Sequence, residues 1–100
     1  MRDHAREATT FIEGLSRKDL DGDRVLVLAL SQLLQIVGEA ANRISPVFRE
    51  SHPELPWQQI VALRNRLIHG YDAINLDVLW EILTGDLPPL ISALDLLLER

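Results

Sequence analysis

Four residues equipped for chemistry lie close together in the stretch RNRLIHGY, residues 64–71: Arg64, Asn65, His69 and Tyr71. An imidazole titrates near neutral pH and can move a proton to or from a ribose 2′-hydroxyl or a leaving oxygen. A guanidinium grips phosphate with a planar fork and stabilises charge on a pentacoordinate transition state. Asn65 and Tyr71 can add hydrogen bonds, and the Tyr71 ring offers a face on which a base can stack. The reaction this set can run is cleavage of RNA without a metal.

The element that must position these residues is PWQQIVALRNRLIHGY, which reads as an amphipathic helix. Pro56 suits its first position, and Gly70 follows its last residue, His69, as glycine commonly does at a helix end. On a wheel advancing about 100° per residue from Arg64, Ile60, Leu67 and Leu63 fall at about −40°, −60° and −100°. Ile68 and Val61 fall at about 40° and 60°, which puts Arg64 at the centre of the apolar stripe. An unpaired buried guanidinium costs several kcal/mol, so Arg64 needs a partner or a polar cleft. A helix ending at Gly70 sends Tyr71 off on a new path. The chain can then gather Arg64, His69 and Tyr71 at one place, or bring two copies together across a dimer axis. Spacing alone leaves both open. It also leaves open an ion pair of Arg64 with Glu39 or Asp72, and His69 as a cap favoured by the helix dipole.

Every other segment carries helical periodicity, and none alternates as a strand. The first helix is expected over Arg2–Leu15, with Ala5, Ala8, Phe11, Ile12 and Leu15 inward, and SRKDLDGD breaks it. Asp19, Asp21 and Asp23 in that break suggest a calcium loop. Arg24 stands where the loop needs its glycine and Leu30 where it needs its last carboxylate, so the aspartates read as caps. The second helix, Gly22–Ile44, is apolar around most of its circumference and must be buried on more than one side, in part against another copy. Gly38, Ala40 and Ala41 permit close approach of a neighbouring helix. Ser45-Pro46 closes it, because a residue before proline avoids the helical region. PVFRESHPEL then holds one short turn. A fourth helix spans Asn75–Leu83 and stops at Thr84-Gly85. The last spans Leu87–Glu99, with Asp86 as cap and Pro88 and Pro89 in its first turn. The expected fold is all-α, four or five helices in one domain over residues 1–100.

The composition, 47% hydrophobic and 25% charged, is that of a globular chain. There are no cysteines, so neither a disulfide framework nor a thiolate metal site is available. The polar, acid-containing start MRDHAREATT is neither a signal nor a transit peptide, and the run Val25–Gly38 falls short of a membrane span. A cytoplasmic protein with no membrane partner is expected. The net charge of −5 argues against non-specific nucleic-acid binding through a basic surface, though not against a local cationic site. Lys18 is the only lysine among ten basic residues, and arginine is the better phosphate ligand.

Arg64, His69 and Tyr71 in the spacing R-x4-H-x-Y resemble the motif of HepT-like toxins in the HEPN superfamily. The resemblance extends over nearly the whole chain. SRKDLDGDRVLVLALSQLLQIVGEAANRIS is similar to the family's central helix, HPELPWQQIVALRNRLIHGYDAINLDVLW to its motif helix, and DLPPL to the start of its last helix. The first helix is shorter than the family's, which implies an N-terminus that is truncated or begins late. The resemblance implies an HEPN-type bundle that dimerises with the two motifs facing each other. It further implies a metal-independent endoribonuclease, the toxin of a toxin–antitoxin pair, acting on tRNA or mRNA and needing no cofactor. Carried over by position, Arg64 and His69 are the catalytic pair and Asn65 supports them. Tyr71 is the residue to which a minimal nucleotidyltransferase (MNT) antitoxin transfers AMP, within a homodimer or a larger hetero-oligomer. Added negative charge there would close the cleft to an RNA phosphate.

Glu39, on the central helix, is expected to support the site by orienting Arg64. Arg43 reads as a solvated charge, His4 and His52 as surface residues, and Trp57 and Trp80 as packing anchors. The competing function is a non-catalytic helical module that binds a nucleotidyltransferase or a nucleotide. An intact Arg64, His69 and Tyr71 set favours the enzyme, because a binding module has no need of a titrating imidazole beside an arginine.

Overall fold

A computed structural model describes residues 1–67 and 74–98, with the side chains of Arg64, Leu97 and Leu98 left aside. Seven α-helices occur among the described residues: α1 (Arg2–Phe11), α2 (Arg24–Asn42), α3 (Pro46–Ser51), α4 (Trp57–Val61), α5 (Leu63–Leu67), α6 (Leu76–Glu81) and α7 (Leu87–Leu98). A 3-10 turn, Arg17–Leu20, precedes α2, and a π-helical turn, Ile82–Asp86, joins α6 to α7. The architecture is the all-α bundle that the periodicity predicts. Counted as rods it has five members: α1, α2, α3, α4–α5 and α6–α7.

Helix α2 is the central rod. It packs against α1 on one side and α4–α5 on the other, while α7 closes on α1. Leu30, Leu34, Val37 and Ala41, spaced four, three and four apart, are fully buried on its inner face. Each buried leucine or valine contributes roughly 1.5–3 kcal/mol by transfer alone. Gly38 lies on the same flank. A Cβ built there would stand 3.1 Å from the Ile60 carbonyl oxygen and 3.8 Å from Leu63 Cβ, so only a residue without a side chain lets α4–α5 approach this closely.

The expected burial of α2 on more than one side is half right. Val25 is 79% and Leu28 47% exposed, and Gln32 and Glu39 are exposed with them. The molecule is only 16 Å across its thinnest direction, room for less than two helix diameters, so one face of α2 stays uncovered. At 19 residues α2 is also longer than its uninterrupted apolar run, and it is long and apolar enough to cross a membrane by length and composition. Its buried inner face gives it instead the position of a core helix.

The aspartates before α2 act as caps. Asp23 accepts the Leu26 N–H at 3.0 Å, and Asp19 forms a capping box with Ser16 at the 3-10 turn. Asp21 receives Arg17 at 2.8 Å, and the same guanidinium reaches Asp77 on α6, also at 2.8 Å. These hydrogen bonds, that to Asp21 first, hold Arg17 above its ordinary value. No group of three metal-ligating side chains occurs among the described residues. Asp23→Ala should cost about 1 kcal/mol, read as a shift in urea midpoint with an unchanged slope.

Three expectations are corrected. Helix α1 ends at Phe11 rather than Leu15, and Phe11 is 46% exposed because the chain turns away through Gly14 at φ +77°. Thr84-Gly85 does not break the chain: α6 runs through the π turn into α7 as one rod. Pro88 and Pro89 cannot donate to the carbonyls of Thr84 and Gly85, and their rings would crowd them in an α-helical turn. The wider turn relieves that crowding, while Ile82, Leu83 and Leu87, all at most 1% exposed, hold the rod in the core. Asp86 consequently caps nothing, and its carboxylate is used elsewhere.

Candidate active site

The predicted motif helix is present but irregular. The backbone at Ala62 leaves the α-helical region, at φ −84° and ψ 4°, and divides α4 from α5. Hydrogen bonds from Ala62 N–H to Gln58 O and from Arg66 N–H to Ala62 O, both 3.0 Å, carry the rod across this point. The end of α5 is pinned as well, since the Leu67 carbonyl accepts the Asn75 N–H at 2.8 Å. Asn75 in turn caps α6 by accepting the Val78 N–H at 3.1 Å. His69, Gly70, Tyr71 and Asp72 lie outside the described residues, as do the ending of the helix at Gly70 and the Asp72 pairing.

Burial along α4–α5 sorts the residues of the apolar face. Trp57, Ile60, Leu63 and Leu67 are 8%, 4%, 2% and 1% exposed, whereas Val61 is half-buried. Between α2 and α4–α5 lies a groove of about 200 Å³ lined by Gln35, Gly38, Glu39, Asn42, Val61 and Asn65. Asn65, the chain neighbour of Arg64, faces this groove.

The groove unites two of the expected site residues from different helices. Glu39 comes from α2 and Asn65 from α5, and both are exposed. Gln35, Glu39 and Asn42, at i, i+4 and i+7, form one polar stripe along α2. Val61 and Asn65, also four apart, form the facing wall. Among the described residues, none of the four polar side chains in this groove makes a hydrogen bond or ion pair. Gln35 and Asn42 do not stand out in the sequence, where Gln35 merely interrupts an apolar run. Their spacing from Glu39 is the signal that identifies them.

Arg66 points to the other side of α5. Its Nη1 lies 2.7 Å from Asp86 Oδ2 in the π turn, which fastens α5 to the junction of α6 and α7. With side chains 29% and 34% exposed, this pair is partly solvent-screened, and a double-mutant cycle should give no more than about 1 kcal/mol of coupling. Trp57 is an anchor as expected: it is buried, donates Nε1–H to the His52 carbonyl at 2.9 Å, and packs edge-on to Phe48. His52 is not a plain surface residue, since its ring lies 4.5 Å from that of Phe48 and its Nδ1 is 3.4 Å from Glu54. Arg43 is exposed, in keeping with a solvated charge.

The chain matches the model of the family described as Ribonuclease HepT-like over residues 1–97. A protein of Caldanaerobacter subterraneus subsp. tengcongensis, provisionally named an RNase, is 34% identical over 89% of this chain and 80% of its own length. One from Thermococcus cleftensis, provisionally named ribonuclease HepT, is 35% identical over 84% of this chain and 80% of its own. A third, from Methanocaldococcus jannaschii and provisionally named an RNase, is 34% identical over 84% of this chain and 77% of its own. No solved structure matches the chain significantly. A family match across nearly all of the sequence, on an all-α bundle whose motif helix borders an open polar groove, settles membership: the chain belongs to the ribonuclease HepT-like family.

Proposed function

We infer that this member of the family is a metal-independent endoribonuclease, with Arg64 and His69 as its catalytic pair. The observation that supports the reading is a solvent-open groove whose walls bring together Glu39 from α2 and Asn65, the chain neighbour of Arg64, from α5. The 2′-hydroxyl of RNA attacks the adjacent phosphorus, forming the 2′-O–P bond as the 5′-oxygen departs. The imidazole handles the proton at one of these oxygens, and the guanidinium stabilises the charge that builds on phosphate. The products are a 2′,3′-cyclic phosphate and a 5′-hydroxyl, and no redox partner is needed.

The working form is a homodimer in the cytoplasm, its two motifs facing one cleft. The N-terminal half of the uncovered face of α2, with Val25 and Leu28 exposed, supports a second copy there. Sedimentation should then give twice the chain mass at micromolar concentration. The same reading makes the protein a toxin held in check by an MNT-type nucleotidyltransferase antitoxin that transfers AMP to Tyr71. Co-expression with that partner should add the mass of AMP, and Tyr71→Phe should abolish the adduct. An adduct that persists in Tyr71→Phe removes the assignment.

The activity itself is tested on unmodified protein with tRNA and mRNA in excess EDTA, with His69→Ala purified alongside. Cleavage by wild type alone supports the nuclease. No cleavage by a verified, unmodified dimer leaves the helical binding module as the function.

A further inference from the structure

The groove between α2 and α4–α5 is chemically more specific than a phosphate channel. Its six lining residues include three carboxamides, Gln35, Asn42 and Asn65, and one carboxylate, Glu39, and no described cation. A carboxylate repels phosphate, so the groove suits a neutral part of the substrate. Carboxamides offer both donors and acceptors to a base edge, and a carboxylate offers only acceptors. Glu39 sits in the middle of the stripe, with Gln35 one turn before it and Asn42 one turn after. The stripe spans roughly 10 Å of helix axis, comparable with the long dimension of a purine. The half-buried Val61 and the Gly38 backbone give the groove an apolar floor, kept open because position 38 has no side chain.

We propose that this groove is a nucleobase subsite of the ribonuclease and that Glu39 makes it prefer guanine. The proposal rests on the ribonuclease reading and names the specificity of that site. Single-stranded RNA presents its bases splayed out, with their pairing edges free to be read. Guanine alone carries two adjacent donors on that edge, N1–H and N2–H2, matched to the two oxygens of one carboxylate. Adenine and cytosine set a single amino donor beside an acceptor, and uracil sets one N–H between two acceptors, so each leaves a carboxylate oxygen facing a lone pair. The carboxamide N–H groups of Gln35, Asn42 and Asn65 are available to guanine O6 and N7. Asn65 lines the groove and adjoins Arg64 in the chain, so on this reading one nucleotide is held by its base in the groove and by its phosphate at Arg64. Glu39 is on this account a specificity residue rather than one that orients Arg64.

The experiment uses full-length protein unmodified at Tyr71 and a set of single-stranded oligouridylates, each carrying one G, A, C or inosine. Inosine keeps N1–H and lacks the 2-amino group. Cleavage beside guanosine should exceed cleavage at the other bases by about tenfold or more, and inosine should lose most of that advantage. Glu39→Gln should bring guanosine and inosine level, and Asn42→Ala, a milder change, should shrink the preference for guanosine. A separate arm measures anisotropy with His69→Ala, which binds without cutting, and there too guanosine should bind more tightly than inosine. Cleavage that is equal at all bases, favours another base, or keeps its guanosine-to-inosine ratio in Glu39→Gln overturns the subsite and leaves the nuclease intact. If wild type cuts nothing, the nuclease reading fails, and the binding arm still decides the subsite. Loss of the dimer in Glu39→Gln, with the guanosine preference unchanged in Asn42→Ala, assigns the stripe to the interface and overturns the proposal.

Discussion

Arg64→Ala lowers RNA cleavage by about 10²–10³-fold, the size of effect seen when one preorganised donor to a developing charge is removed. The helical circular dichroism signal and the oligomeric state stay as in wild type. The second half of that expectation comes from the packing. Were Arg64 at the centre of the apolar face, truncating it would leave a cavity or an orphaned partner in the core, and the fold would suffer. Ile60, Leu63 and Leu67, each at most 4% exposed, hold α4–α5 in the core and are untouched by the substitution. Arg64→Lys should recover only part of the activity, because an ammonium keeps the charge without the planar fork. A kinetic assay in EDTA, paired with thermal melts, checks both halves. Unfolding of Arg64→Ala would make the arginine a structural ion-pair residue and withdraw it from catalysis.

Gly38→Val gives the second large effect, and it acts through the fold. A Cβ at position 38 stands 3.1 Å from the Ile60 carbonyl oxygen, a backbone atom of α4 that cannot swing aside as a flexible side chain would. The further methyls of valine force α2 and α4–α5 apart, at a cost of about 1–3 kcal/mol for overpacking. For a domain of this size that lowers Tm by roughly 4–8 °C per kcal/mol. The same displacement moves Asn65 away from Glu39, so cleavage falls even at temperatures where the protein stays folded. Gly38→Ala is the graded control. Its single methyl meets the same carbonyl but gains helix propensity of up to about 1 kcal/mol, so the two contributions offset within that margin. A Gly38→Val protein as stable and active as wild type would mean that the two helices do not meet this closely.

Much of the molecule follows from the order of its residues because the causes are local. Apolar residues three and four apart make Arg24–Asn42 a helix with a buried face, whatever surrounds it. Asp23 and Ser45 cap the helices they precede because a side-chain oxygen and the orphan N–H groups are two or three residues apart. The motif Arg64, His69, Tyr71 and the family it implies are likewise legible, since they are matters of residue type and spacing. Even the close approach at Gly38 is foreshadowed by a small residue on an otherwise bulky helix.

Only the tertiary structure decides the rest. A wheel drawn for one helix cannot know how that helix is rotated against its neighbours or that its backbone is interrupted at Ala62, and so it gives Val61 and Leu63 equal standing where only Leu63 is fully buried. Propensity marks Thr84-Gly85 as a stop, yet the burial of Ile82, Leu83 and Leu87 outweighs a local cost of about 1 kcal/mol and carries the rod through. Arg66 and Asp86 lie 20 residues apart, and nothing short of the folded π turn brings them to 2.7 Å. The groove is the clearest case. Gln35, Glu39 and Asn42 are a polar stripe on one helix and Asn65 a lone amide on another, and they become one surface only where Gly38 lets the two helices touch. Which residues are present is a property of the chain, but which of them share a site depends on helix rotation and contact, set by the burial of the whole core.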